Sequence, residues 1–93
     1  MLENTKDTIF IGKKPLMSYV TSAIIQLSSL NSITIQARGM SIGIAVDVTQ
    51  ILLRKTNVFK VGDIQIGSES LESQDGRKRD VSTIKIPISR IQG

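Results

Sequence analysis

The 93-residue chain has no cysteine, no histidine and no tryptophan. Without cysteine it forms no disulfide and offers no thiolate as nucleophile or metal ligand. Without histidine it lacks the side chain that most often moves protons near neutral pH, and the two absences together remove the usual zinc and haem ligands. Phe10, Tyr19 and Phe59 are the only aromatic residues, which leaves little to build a base-stacking platform, the more so because Phe10 and Phe59 stand in strand patterns that look core-facing. No apolar run approaches the roughly 20 residues that span a bilayer. The opening residues include Glu3 and Asp7 and lack the basic and long apolar regions of a signal peptide. These absences predict a soluble, cytoplasmic protein with no membrane partner, no metal and no cofactor.

What the chain does have is β-branched residues in alternating runs and an excess of positive charge. Its length is that of one domain. Lys and Arg number 12 against 8 Asp and Glu, a net charge of +4, which favours polyanion partners through long-range attraction. Charge alone does not show a partner, so its placement along the chain decides.

Residues 1–7 are polar and unpatterned, the expectation being a loose tail ahead of a single domain over 8–93. Residues 8–12 read as a short strand. Lys13-Lys14-Pro15 follows, with proline suited to a helix start. Apolar residues at 16, 17, 20, 23, 24 and 27 give helical spacing to Ser28 or Ser29. Ile33, Ile35 and Ala37 alternate with Thr34, Gln36 and Arg38, a strand over 32–38. Ser41 is a candidate N-cap for a second helix to about Lys55, whose apolar face is wide enough that part of it is a candidate contact with another subunit. Beyond it, Phe59 and Val61 alternate, and Ile64 and Ile66 do so one residue out of phase, which predicts a bulge at Gly62-Asp63. Strand pattern fades near Ser70. Ile84, Ile86 and Ile88 mark the last strand, and Pro87 among them predicts an edge position because proline donates nothing to a ladder. The order β-α-β-α-β-β is that of an α/β chain, an α+β sandwich in which two helices pack on a mixed four-stranded sheet with a long final hairpin.

Few features carry chemistry. Lys13-Lys14 lies at a helix start, where free amides and the helix dipole favour phosphate. Asp75-Gly76 signals a tight hairpin turn in which both residues take positive φ. The polar residues around it predict an arm, at about 70–82, projecting with Arg77, Lys78 and Arg79. Gly39-Met-Ser-Ile-Gly43 lacks the spacing of a dinucleotide loop and the Lys-Ser/Thr pair of a P-loop. Asp47 has no partner acid at helical spacing, and the hairpin acids are too scattered to define a metal site. No enzyme activity is expected.

The run Ile9-Phe-Ile-Gly-Lys-Lys-Pro-Leu-Met-Ser-Tyr-Val20 resembles the opening motif of the Alba family of archaeal chromatin proteins. So do Ile35-Gln-Ala-Arg-Gly39 with Ala45-Val-Asp47, and Ser73-Gln-Asp-Gly-Arg77 continuing to Val81-Ser-Thr-Ile84, in order from about residue 8 to 90. The resemblance implies the fold of the C-terminal domain of bacterial translation initiation factor three, and a homodimer with two hairpin arms. The paired lysines would meet the DNA backbone while the arms follow the minor groove. Nucleic-acid contacts would then be Lys13, Lys14, Arg38, Arg77, Lys78 and Arg79, with Lys13 and Lys14 also candidates for acetylation. Leu52, Leu53, Thr56 and Phe59 are candidates for dimer or dimer–dimer contacts. The chain departs from the family at Met40 and Ile44, commonly basic there, and at Thr56, where a member can carry a phenylalanine that joins dimers side by side.

The expectation is a homodimer, or a heterodimer with a paralogue, that coats and condenses double-stranded DNA on the chromosome without reading sequence, and also binds RNA. The runner-up is an RNA chaperone or ribonucleoprotein subunit. A protein-interaction module that binds no nucleic acid is the third.

Overall fold

The computed structural model describes residues 7–91. The expected tail therefore lies outside the described residues except for Asp7, whose carbonyl accepts the Thr34 N–H at 2.7 Å. The elements are β1 (Thr8–Phe10), α1 (Leu16–Ser29), β2 (Ser32–Arg38), α2 (Ser41–Lys55), β3 (Phe59–Val61), β4 (Gln65–Glu72) and β5 (Lys78–Arg90). This is the α+β order read from the sequence, with the third strand divided in two.

Both helices cover one face of the sheet. Strand alternation sends Ile33, Ile35 and Ala37 of β2, and Ile84, Ile86 and Ile88 of β5, to that face, where all are buried. Helix α1 meets them with Tyr19, Val20, Ala23 and Leu27, and α2 with Ala45, Val48, Thr49 and Leu52. The α1 stripe is thus turned from the expected one: Met17 and Ile24 are exposed and Tyr19 is inside. Ser41 is the first helical residue of α2 and not its cap. Met40 holds the N-cap position without a side-chain hydrogen bond, and the Ile42 N–H reaches the Gly39 carbonyl at 3.2 Å to close the turn.

The sheet is mixed and open, in the order β1-β2-β5-β3, with β4 also paired to β5. Only β1 and β2 run parallel. Strand β5 is central, not an edge: β2 lies along one side of it, β3 and β4 along the other. Pro87 is accommodated by the break between β3 and β4. Its carbonyl accepts the Gly62 N–H at 2.8 Å, and a strand residue's N–H and C=O point the same way. The missing donor therefore faces the gap where the partner strand leaves the ladder. A side chain at Gly62 would bring its Cβ within 3.2 Å of Pro87 Cγ, so glycine fits that close approach. The bulge expected at Gly62-Asp63 is this gap, and it turns four expected strands into five.

Strand β2 ends opposite Thr83, and the N–H of the next residue, Gly39, donates to the Ser82 carbonyl at 2.9 Å. From Val81 to its start β5 has only β4 as a strand partner. Residues 68–82 are thus a two-stranded ribbon anchored to the body at its root and projecting beyond it, longer than the sequence implied, and the molecule measures 51 × 26 × 22 Å. No helix among the described residues is long and apolar enough to cross a membrane.

Candidate nucleic-acid interface

Topology gathers the expected cationic residues at one end of the sheet. Because β1 and β2 are parallel, the loop with Lys13 and Lys14 leaves the same end as Arg38, the last residue of β2. Because β5 runs antiparallel to β2, with Thr83 opposite Arg38, the ribbon emerges there too.

The lysine loop is held from below. The Tyr19 hydroxyl, on a nearly buried ring, accepts the backbone N–H of Gly12 at 2.8 Å and of Lys14 at 2.9 Å. The Ser18 N–H goes to the Pro15 carbonyl. Three amides near the helix start are therefore engaged within the chain, and the exposed ammonium groups of Lys13 and Lys14 stand open to an anion.

Arg38 Nη1 lies 3.2 Å from Glu69 Oε1 on β4, both side chains more than half exposed. The pair ties the ribbon's root to the body and offsets one of the cations. At the tip, Gly76 has φ +83° and no non-glycine residue among those described has positive φ. The turn is therefore not the two-residue type expected for Asp-Gly. The Gly76 N–H donates to the Ser73 carbonyl and the Ser73 N–H to the Arg77 carbonyl, a three-residue loop closed by a left-handed glycine. The Asp75 carboxylate accepts from the Ser73 hydroxyl and from the Arg77 N–H, and these bonds hold its pKa below the ordinary carboxylate value.

The three ribbon cations do not share a face. Arg79 pairs with Leu71, in phase with Val81, Thr83 and Lys85 and hence on the same open side as Arg38. Lys78 pairs with Glu72 on the opposite side. Arg77 sits in the turn, 3.7 Å from Asp75 Oδ2 through its Nε.

Phe10 corrects the sequence reading. It is 56% exposed while Phe59 is buried, so one strand aromatic faces out. Ile9 and Ile11 take the covered face, leaving Phe10 on the open one. It lines a cleft of about 350 Å³ with Gln36, Arg38, Glu69, Thr83 and Lys85.

The family model described as Alba matches residues 7–68. A relative named DNA/RNA-binding protein Alba, from Nitrosopumilus maritimus strain SCM1, is 62% identical over 94 residues, covering 99% of each chain. The chain belongs to the Alba family. The solved structure of Alba from Thermoplasma volcanium superposes with a TM-score of 0.83 at 40% identity, covering 89% of this chain and 99% of that one. ALBA1 from Trypanosoma brucei shares the fold at 17% identity, with a TM-score of 0.78 over 98% of this chain and 75% of that one.

The departures from the Alba pattern now have positions. Met40 is 97% exposed at the β2–α2 turn, directly after Arg38 and Gly39. Ile44 is half-buried and packs on the core, where a cation would meet apolar neighbours. Leu52 and Phe59, offered as contacts between protomers, are buried in the protomer's own core. Leu53 and Thr56 are half-buried. Besides Phe10, Met40 and the α1 residues Met17, Ile24 and Ile25, exposed apolar side chains stand at Val46, Val58, Ile64, Ile66 and Ile91. Ile66 pairs with the buried Ile84 and so faces the helix side, beyond the cover that the helices provide. The signal for it in the sequence was the Ile64, Ile66 alternation with no element left to bury it.

Proposed function

We propose that the chain binds nucleic acid by its phosphates, coating double-stranded DNA without reading bases and binding RNA as well, as a homodimer lodged on the chromosome in the cytoplasm. The observation that carries this reading is the convergence of Lys13, Lys14, Arg38 and the ribbon root at one sheet end. A projecting ribbon with Arg77 and Arg79 can follow a groove from there and reach phosphates on its walls. Among the described helices the one exposed pair of Asn, Gln or Arg a turn apart is Gln50 and Arg54. It lies in the half of α2 that runs away from the cationic end, so affinity should come from the backbone. The relative named as a DNA/RNA-binding protein is in keeping with both ligands.

The exposed apolar residues Val46, Val58, Ile64 and Ile66 support the dimer, since such residues are better buried against a second copy than left in water. Acetylating Lys13 or Lys14 would remove a phosphate partner and loosen binding. An RNA-directed role is favoured by one observation, the exposure of Phe10. The test is charge reversal of Lys13, Lys14, Arg77 and Arg79 to Glu. Duplex binding is expected to vanish while the circular dichroism spectrum stays unchanged. Retained binding would refute the reading and favour a protein-interaction module.

A further inference from the structure

We propose that the open sheet face holds an unpaired nucleobase, stacked on the ring of Phe10. This rests on the nucleic-acid reading above and deepens it by adding a subsite for single strands or loops. Phe10 is 56% exposed, against 5% for Tyr19 and 8% for Phe59, so the one outward aromatic ring among the described residues stands on the face without helices. The register places Phe10 beside Gln36, Gln36 beside Lys85, and Lys85 beside Gln65, a row across four strands. The adjacent row is Arg38, Thr83 and Gly67. Of these residues Phe10, Gln36, Lys85, Arg38 and Thr83 line the cleft of about 350 Å³, within the roughly 300–1,000 Å³ of small-ligand sites.

Each wall suits a nucleotide. An aromatic face stacks any base. The Gln36 amide both donates and accepts, which matches the mixed edge of an unpaired base. The two ion pairs among the described residues leave Lys85 out, so its ammonium is available to a phosphate. Arg38 is shared with Glu69, whose carboxylate borders the same cleft and disfavours an anion on that side, directing phosphate towards Lys85. A protein surface apolar enough to cover Phe10 would also strand Lys85 and Arg38 away from water, whereas a nucleotide offers a flat apolar ring and a charge together. A duplex cannot use this site, because its bases are stacked inside.

The experiment compares the full chain with Phe10→Ala and Phe10→Trp, using a short oligouridylate, an oligothymidylate and a DNA duplex at equal salt. Phe10→Ala is expected to weaken both single strands roughly five- to hundredfold, with duplex affinity within about twofold of the parent and the melting profile retained. The chain has no tryptophan, so Phe10→Trp adds a single indole. Its fluorescence is expected to be quenched by the single strands and not by the duplex. Equal weakening on RNA and DNA assigns the contact to the base; weakening on RNA alone assigns the subsite to RNA. Unchanged single-strand affinity in Phe10→Ala, or equal quenching by duplex and single strand, overturns the subsite while leaving phosphate binding in place. A parent chain that binds none of the three ligands overturns both.

Discussion

The Tyr19 hydroxyl accepts the backbone N–H of Lys14 at 2.9 Å, so a core aromatic of α1 fixes the loop that carries the paired lysines. Tyr19→Phe removes this acceptor and the one it offers Gly12, leaving two partly buried amides unpaired. A stability loss of about 1–3 kcal/mol is expected, read from denaturant unfolding. Duplex affinity is expected to fall several-fold, because the lysines lose their fixed positions. A variant as stable as the parent would show that water replaces the hydroxyl.

Arg38 and Glu69 form an exposed pair, and exposed pairs contribute little to folding. Glu69→Ala is expected to change stability by no more than about 0.5 kcal/mol and to tighten duplex binding, since it frees Arg38 and removes an acid from the cationic end. Binding that weakens instead would mean that the pair's role is to orient the ribbon.

Strand alternation separates Arg79 from Lys78. Arg79→Ala is expected to weaken duplex binding more than Lys78→Ala, and each phosphate deprived of its cation should lower the salt slope by about 0.9. Equal effects would place both side chains on phosphates through ribbon twist.

Gly76 and Asp75 shape the tip. Gly76→Ala puts a side chain into positive φ at a local cost of about 1–2 kcal/mol, expected as faster amide exchange in residues 68–82 with the global melting temperature nearly unchanged. Asp75 has a lowered pKa because the Ser73 hydroxyl and the Arg77 amide bond its charged form. A depressed carboxylate stabilises the turn above its unfolded pKa, and the contribution is lost as pH falls through the folded value. The Arg77 amide resonance should therefore titrate at a pH below the ordinary Asp range.

The extents of the helices and β2 were legible because a helical or alternating pattern runs over many residues. The buried face of α1 was not, since Met17 and Ile24 fit the apolar spacing as well as the buried Tyr19. Nor was Phe10: in Ile9-Phe10-Ile11 every residue is apolar, so alternation sets two faces without saying which is covered. Two isoleucines against one aromatic was the only hint. Pro87 misled for a different reason. Proline forbids a donor on one side only, and a central strand can spend that side on a gap between two short partners. The tip failed because Asp-Gly fits more than one hairpin loop, and the choice rests on the Ser73 and Arg77 bonds around it. For the cationic site, the sequence showed each charge, but their shared end follows from β1 and β2 being parallel, which no residue pattern states.

Backbone-directed binding is tested most directly by the salt dependence of affinity for duplexes of equal length and unrelated sequence. In the proposed dimer, Lys13, Lys14 and the three ribbon cations of each copy, partly offset by neighbouring acids, predict that log affinity falls with log salt at a slope of about −4 to −7, alike for every sequence. A slope near zero, or a preference of several hundredfold for one sequence, would contradict it.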